Sequence, residues 1–189
     1  FVPAFLAAAE SSDAAVRRAA LEALEVMAPP EQAEALVSLL AKSTPGEERE
    51  AAGRAVWMAC EKIADPAARS EPLFAGYEKA DSPGRAAILP SIARIGGDKA
   101  LATVHAAMKS DDQGLRDAGY RALANWPDAS VAEELLDIAK NSANEAYRIW
   151  TLRAYARVVS LPDAFAPEKA FEMLKSAMDL AARAEDRLL

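Results

Sequence analysis

The side chains in this sequence that recur at a fixed spacing and carry chemistry are acid–base pairs. Asp13, Asp81 and Asp112 each precede an arginine by four residues, at Arg17, Arg85 and Arg116. Asn144 holds the same place before Arg148, and Pro45 holds it before Arg49. The five arginines are 32, 36, 31 and 32 residues apart. A carboxylate and a guanidinium four residues apart meet on one face of a helix. A row of such pairs is either an ordered line of charge or a device that holds the chain together, and the second role is the commoner. Groups for covalent or metal chemistry are sparse. His105 is the only histidine, and no histidine, cysteine or carboxylate stands three or four residues from it. No metal-ligand pattern forms there, and His105 reads as a packed or half-exposed helix residue. The single cysteine, Cys60, excludes an internal disulfide and a Cys-x-x-Cys site and reads as an inert core thiol. No catalytic constellation, metal or cofactor is indicated.

Helices have to position these residues. The chain is 52% hydrophobic but only 6% aromatic, and it is rich in Ala, Leu, Glu, Lys and Arg, which favour helix over strand. Pro29, Pro30, Pro45, Pro66, Pro83, Pro127, Pro162 and Pro167 fall between apolar-periodic segments, as helix punctuation does. The formal net charge of −7 argues against a general nucleic-acid binder. No apolar run approaches the ~18 residues of a membrane span, and the first residues lack the basic-then-apolar form of a signal peptide, an absence that means little in a sequence beginning without Met. The chain begins without Met and stops at "AEDRLL", so it reads as a piece of a longer protein.

The arginines anchor an internal repeat. Its copies are "DAAVRRAALEALEVM" from Asp13, "PGEEREAAGRAVWMA" from Pro45, "DSPGRAAILPSIARI" from Asp81, "DQGLRDAGYRALANW" from Asp112 and "NEAYRIWTLRAYARV" from Asn144. Each is an amphipathic helix, here called B; in the first, Ala20, Leu21, Ala23, Leu24 and Met27 form one stripe. Second helices, called A, lie between them, and Arg187 begins a truncated sixth copy. At the junctions, Thr44-Pro45-Gly46-Glu47 has the form of a capping box with Thr44 as N-cap. Gly96-Gly97 closes one B helix, and Asp98 is placed to cap the next A helix. A helix pair at this period means a solenoid whose units share a core. The whole chain, 1–189, is one such array, with repeats at about 1–28, 29–64, 65–96, 97–126, 127–161 and 162–189.

The "D-x-x-[apolar]-R-x-A-A-x-x-A-L" form resembles the HEAT-like repeats of bacteria, of the phycobilisome-lyase type. The resemblance implies an all-α fold, a right-handed α–α superhelix of about five helix pairs plus the truncated sixth. It implies B helices along the concave face. It also implies structural roles for the anchors Asp13, Arg17, Arg49, Asp81, Arg85, Asp112, Arg116, Asn144 and Arg148, the arginines bonding across the repeat.

Equivalent positions on stacked B helices form columns. One runs Glu22, Arg54, Pro90, Arg121, Arg153; the next runs Val26, Met58, Arg94, Asn125, Arg157; a third runs Glu25, Trp57, Ala93, Ala124, Ala156. Arg54, Trp57, Arg94, Arg121, Asn125, Arg153 and Arg157 are therefore the candidate binding residues, an arginine-rich face on an acidic protein whose acids lie largely on A helices. Such a face suits carboxylates, sulfates or phosphates, though solvated helix arginines are common. Pro90 removes a backbone donor inside its helix and should bend it. The reading is a non-catalytic protein–protein interaction scaffold or docking module, monomeric, whose partner is another protein or another domain of the same chain with an acidic or anionic surface. Membrane and nucleic-acid partners are not indicated. Resemblance leaves other readings open: an accessory or spacer domain of a larger, secreted enzyme, a HEAT-like chromophore lyase, or a nucleic-acid glycosylase. Against the last, Trp57, Trp126 and Trp150 occupy different columns.

Overall fold

The computed structural model describes residues 1–181. Among these residues the only regular structure is helix. The helices are α1 (Val2–Ala8), α2 (Ala14–Met27), α3 (Ala33–Lys42), α4 (Glu47–Glu61), α5 (Glu71–Lys79), α6 (Ser82–Ile95), α7 (Gly97–Met108), α8 (Gln113–Ala124), α9 (Ala132–Asn141), α10 (Glu145–Val159) and α11 (Pro167–Leu180). The even-numbered helices to α10 are the B helices, and the odd-numbered ones are A. Short 3-10 turns at Pro30–Gln32, Pro66–Ala68 and Ala129–Val131 lead into α3, α5 and α9. Two of these turns open on proline, whose fixed φ suits a first helical position where no N–H is needed. Pro72 likewise sits in the first turn of α5. The expected start of a sixth B helix at Arg187 lies outside the described residues.

The chain divides into two compact units, Phe1–Ile92 and the residues from Ala93 onward. In the first, α2 and α3 both pack on α4, α1 packs on α2, and α5 on α3. Leu21, Leu24, Leu36, Leu40, Val56, Leu73, Ile88 and Ile92 fill its core. On α4, the buried residues Ala51, Ala52, Ala55 and Ala59 let neighbouring helices approach closely. The closest approach is at Gly76 of α5, where a Cβ would stand 2.2 Å from Val37 Cγ1 of α3.

In the second unit, α8 packs on α7 and α10, α10 on α9 and α11. Val104, Leu123, Val131, Leu135, Tyr155 and Val158 make its core, together with Trp126, which is 1% exposed. Trp126 meets the polar requirement of a buried indole by donating from Nε1 to Ser130 Oγ at 3.2 Å. Gly119 admits a close helix approach here, since a Cβ would lie 2.7 Å from the backbone nitrogen of Met108.

Two local expectations are corrected. The N-cap of α4 is Gly46, not Thr44, and the helix opens at Glu47. Gly46 has φ +101, a left-handed conformation that holds the chain out of the helix until the next residue. Thr44 instead donates from Oγ1 to Glu48 Oε2 at 2.7 Å. The N-cap of α7 is Gly96, at φ +72, and Asp98 lies inside the first turn. There its charge complements the helix dipole rather than capping a backbone N–H. The third B helix, α6, runs continuously through Pro90, with the proline ring exposed and Ile88, Leu89 and Ile92 buried.

Candidate interaction face

The anchoring pairs do not bond within themselves. The acids cap their helices. Asp13 Oδ1 accepts from the Ala15 and Val16 amides at 2.8 and 3.4 Å, Asp81 Oδ1 from Gly84 at 2.9 Å, and Asp112 Oδ1 from Leu115 at 2.8 Å. Asn144 Oδ1 does the same for Ala146 and Tyr147 at 2.9 and 3.3 Å. An N-cap needs an acceptor oxygen and not a charge, which is why Asn serves in the fifth copy.

The arginines reach back to the turn that joins the A and B helices of their own pair. Arg17 donates to the Ser11 carbonyl at 2.9 Å, Arg49 to Ser43 at 2.7 Å and Arg148 to Ser142 at 2.9 Å, and Arg116 donates to Ser110. In each case the acceptor is a serine six residues earlier, a Ser-x5-Arg spacing present in the sequence that column-counting passed over. Arg85 uses the Tyr77 and Glu78 carbonyls instead, at 3.1 and 3.2 Å. Of these bonds, the one that crosses to the next copy by a side chain is from Arg17 Nη2 to Glu48 Oε2, at 2.8 Å. The Arg17 hydrogen bond, opposed by burial and helped by Thr44, holds the Glu48 carboxyl below the usual carboxylate range.

The candidate binding residues are exposed or half-exposed, but several are engaged. In the first unit, Arg54 Nε donates to Glu25 Oε2 at 3.0 Å, from α4 to α2, and Trp57 is half-buried on the same helix. Lys62 donates to the Val26 and Ala28 carbonyls at 3.0 and 2.8 Å, placing a cation where α2 leaves carbonyls unsatisfied. In the second unit, Arg157 does the equivalent for α8, donating to the Ala124 and Trp126 carbonyls at 3.2 and 2.7 Å. Asn125 donates from its side chain to the Arg121 carbonyl at 2.8 Å. Arg94 and Arg153 are exposed, at the end of α6 and on α10.

Arg121 lies with its guanidinium carbon 4.3 Å from the centre of the Trp150 ring, across from α8 to α10. Trp150 leans on Tyr147, at 5.7 Å and 44°, and Tyr147 stacks on Tyr120 at 3.7 Å and 15°. The Tyr147 hydroxyl donates to Asp117 and accepts from Gln113 Nε2 at 3.2 Å. The sequence reading missed this ladder of three rings and a guanidinium. Tyr147 and Trp150 sit on the flank of α10, outside the columns, and meet Tyr120 and Arg121 only because the two helices pack side by side.

The other reactive groups are contained. Burial pushes the Cys60 thiol up to about 11. His105 Nε2 meets Glu134 Oε1 at 2.9 Å, joining α7 to α9. Among the described residues, no group of three or more His, Cys, Asp or Glu is placed to hold a metal ion.

Helix pairs at this period, capped and stapled in this way, match the family of HEAT repeats over residues 1–57 and 70–156, and the chain belongs to that family. HEAT repeats generally act as protein-interaction scaffolds. The crystal structure of an engineered protein is similar over 99% of this chain and 92% of its own, with 22% identity and a TM-score of 0.44. No curated protein matches the sequence.

Proposed function

We propose that the chain is a non-catalytic docking module that binds an acidic segment of a partner, either a separate protein or another domain of its own chain. The observation that carries this is the Arg121–Trp150 stack beside the Tyr120–Tyr147 pair. A guanidinium held over an indole can still offer its planar fork to a carboxylate, and it loses little side-chain entropy on binding. Arginine, tryptophan and tyrosine are the residues that dominate protein interfaces energetically. Arg153, one helix over from Arg121, adds charge of the same sign. Arg54 contributes less, being already paired with Glu25, and Arg157 serves the end of α8. The short spacing of the repeats, at 31 to 36 residues, favours the bacterial phycobilisome-lyase-like subtype of HEAT repeat.

The test is the double reversal Arg121→Glu with Arg153→Glu, compared with the native chain in pull-downs from the source cells. Loss of partners with an unchanged melting temperature supports the reading. An unchanged partner set contradicts it.

A further inference from the structure

A second binding feature is built from residues of the first unit. A groove of about 790 Å³ runs between α3 and α5. Its lining combines three cations, Lys42, Arg49 and Lys79, with the apolar Val37, Pro72 and Pro83. Glu34 and Asp81 also line it, but each is engaged: Glu34 meets Lys79 at 3.7 Å, and Asp81 caps α6 through the Gly84 amide. Lys42 and Lys79 hold their ion pairs on exposed side chains, at 3.6 and 3.7 Å, and such pairs are weak enough to be exchanged.

Arg49 differs from its counterpart in the first copy. Arg17 is neutralised by Glu48, the residue immediately before the next anchor. One copy further on, that position is Gly84, which has no side chain to offer. A side chain there would crowd its neighbours. A Cβ at position 84 would stand 3.0 Å from both Ala80 Cβ and Asp81 Oδ1, and 3.2 Å from Ala41 Cβ. Arg49 therefore has its Nε and Nη2 on Ser43, at 3.4 Å to Oγ and 2.7 Å to the carbonyl, while Nη1 makes no bond among the described residues. Burial lowers its pKa, and Glu48, already committed to Arg17 and Thr44, offsets this only in part. A half-buried guanidinium with an open edge, flanked by lysines whose exposed ion pairs can be exchanged, is suited to receive a carboxylate.

We propose that this groove docks an extended acidic peptide of a partner protein, its side-chain carboxylate on Arg49 as Glu48 sits on Arg17, and its apolar neighbours against Pro72 and Pro83. The site uses other residues than the Arg121 face, and its test is read on them.

The experiment follows arginine Nε–Hε signals of the full chain by NMR during titration with acetyl-Leu-Glu-Pro-Leu-amide, with its Gln counterpart, and with acetate. The expected result is a saturable shift of the Arg49 signal with the Glu peptide, at least tenfold weaker with the Gln peptide or with acetate. Lys79→Glu, an exposed substitution that leaves Arg49 and its fold contacts in place, should weaken the Glu peptide at least threefold. An unmoved Arg49 signal overturns the proposal, as does equal response to Glu and Gln peptides. Acetate binding as tightly as the peptide overturns the peptide as ligand. Shifts confined to Arg121 and Arg153 would leave the proposed function standing and remove the groove.

Discussion

At the scale of residues, charge in this protein is used mainly to finish helices. Asp13, Asp112 and Asn144 satisfy first-turn amides, while Lys62 and Arg157 satisfy last-turn carbonyls. The Glu48–Arg17 contact is the part-buried exception, with side chains 12% and 19% exposed. Because the folded carboxyl titrates below its unfolded value of about 4.3, its contribution is complete above that pH and fades as pH falls through the folded pKa. Glu48→Gln should therefore lower the melting temperature at pH 7, and thermal scans should show the gap from the native chain closing below about pH 4. Cys60 offers a second check. A thiol raised to about 11 carries on the order of a hundredfold less thiolate at neutral pH than a free cysteine. Iodoacetamide should label the folded chain at least about a hundredfold more slowly than the urea-unfolded one.

At the scale of elements, the helices were legible because apolar residues recur at 3.6-residue spacing and prolines cluster between them. The helix starts at Glu47 and Gly97 were misplaced by a residue or two because they depend on positive φ at Gly46 and Gly96, which no side-chain pattern encodes. The acceptors of the anchoring arginines were hidden for a related reason: a backbone carbonyl has no sequence identity, and only the Ser-x5-Arg spacing hints at it. The Tyr120–Tyr147–Trp150 ladder depends on how α8 and α10 lie side by side, which columns alone do not describe. The glycines separate packing from propensity. Gly119→Ala puts a methyl against the Met108 backbone and should cost about 1–3 kcal/mol. Gly53→Ala meets nothing nearer than Ser91 Oγ at 3.9 Å inside a helix and should stabilise by about 0.5–1 kcal/mol. Urea denaturation of both variants reads the contrast; a Gly119→Ala chain as stable as the native one would contradict the close approach.

At the scale of the whole molecule, a net charge of −7 coexists with exposed arginines concentrated on B helices. In the second unit the exposed acids Glu133, Asp137, Glu172 and Asp179 lie on A helices, interspersed with Lys140, Lys169 and Lys175, while the exposed Arg121, Arg153 and Arg157 lie on B helices. Arginines gathered on the B helices favour oriented encounter with an acidic partner on that face. The helical repeat was visible in sequence. The two features that carry the proposed chemistry, a guanidinium over the Trp150 ring at Arg121 and an open-edged one at the anchor Arg49, required the packing. The most direct measurement of the central claim is partner recovery from the source cells by the native chain and by the Arg121→Glu, Arg153→Glu double variant, both confirmed folded by circular dichroism. The account predicts that the double variant loses the partners that the native chain retains. Recovery of the same partners at the same yield would contradict it.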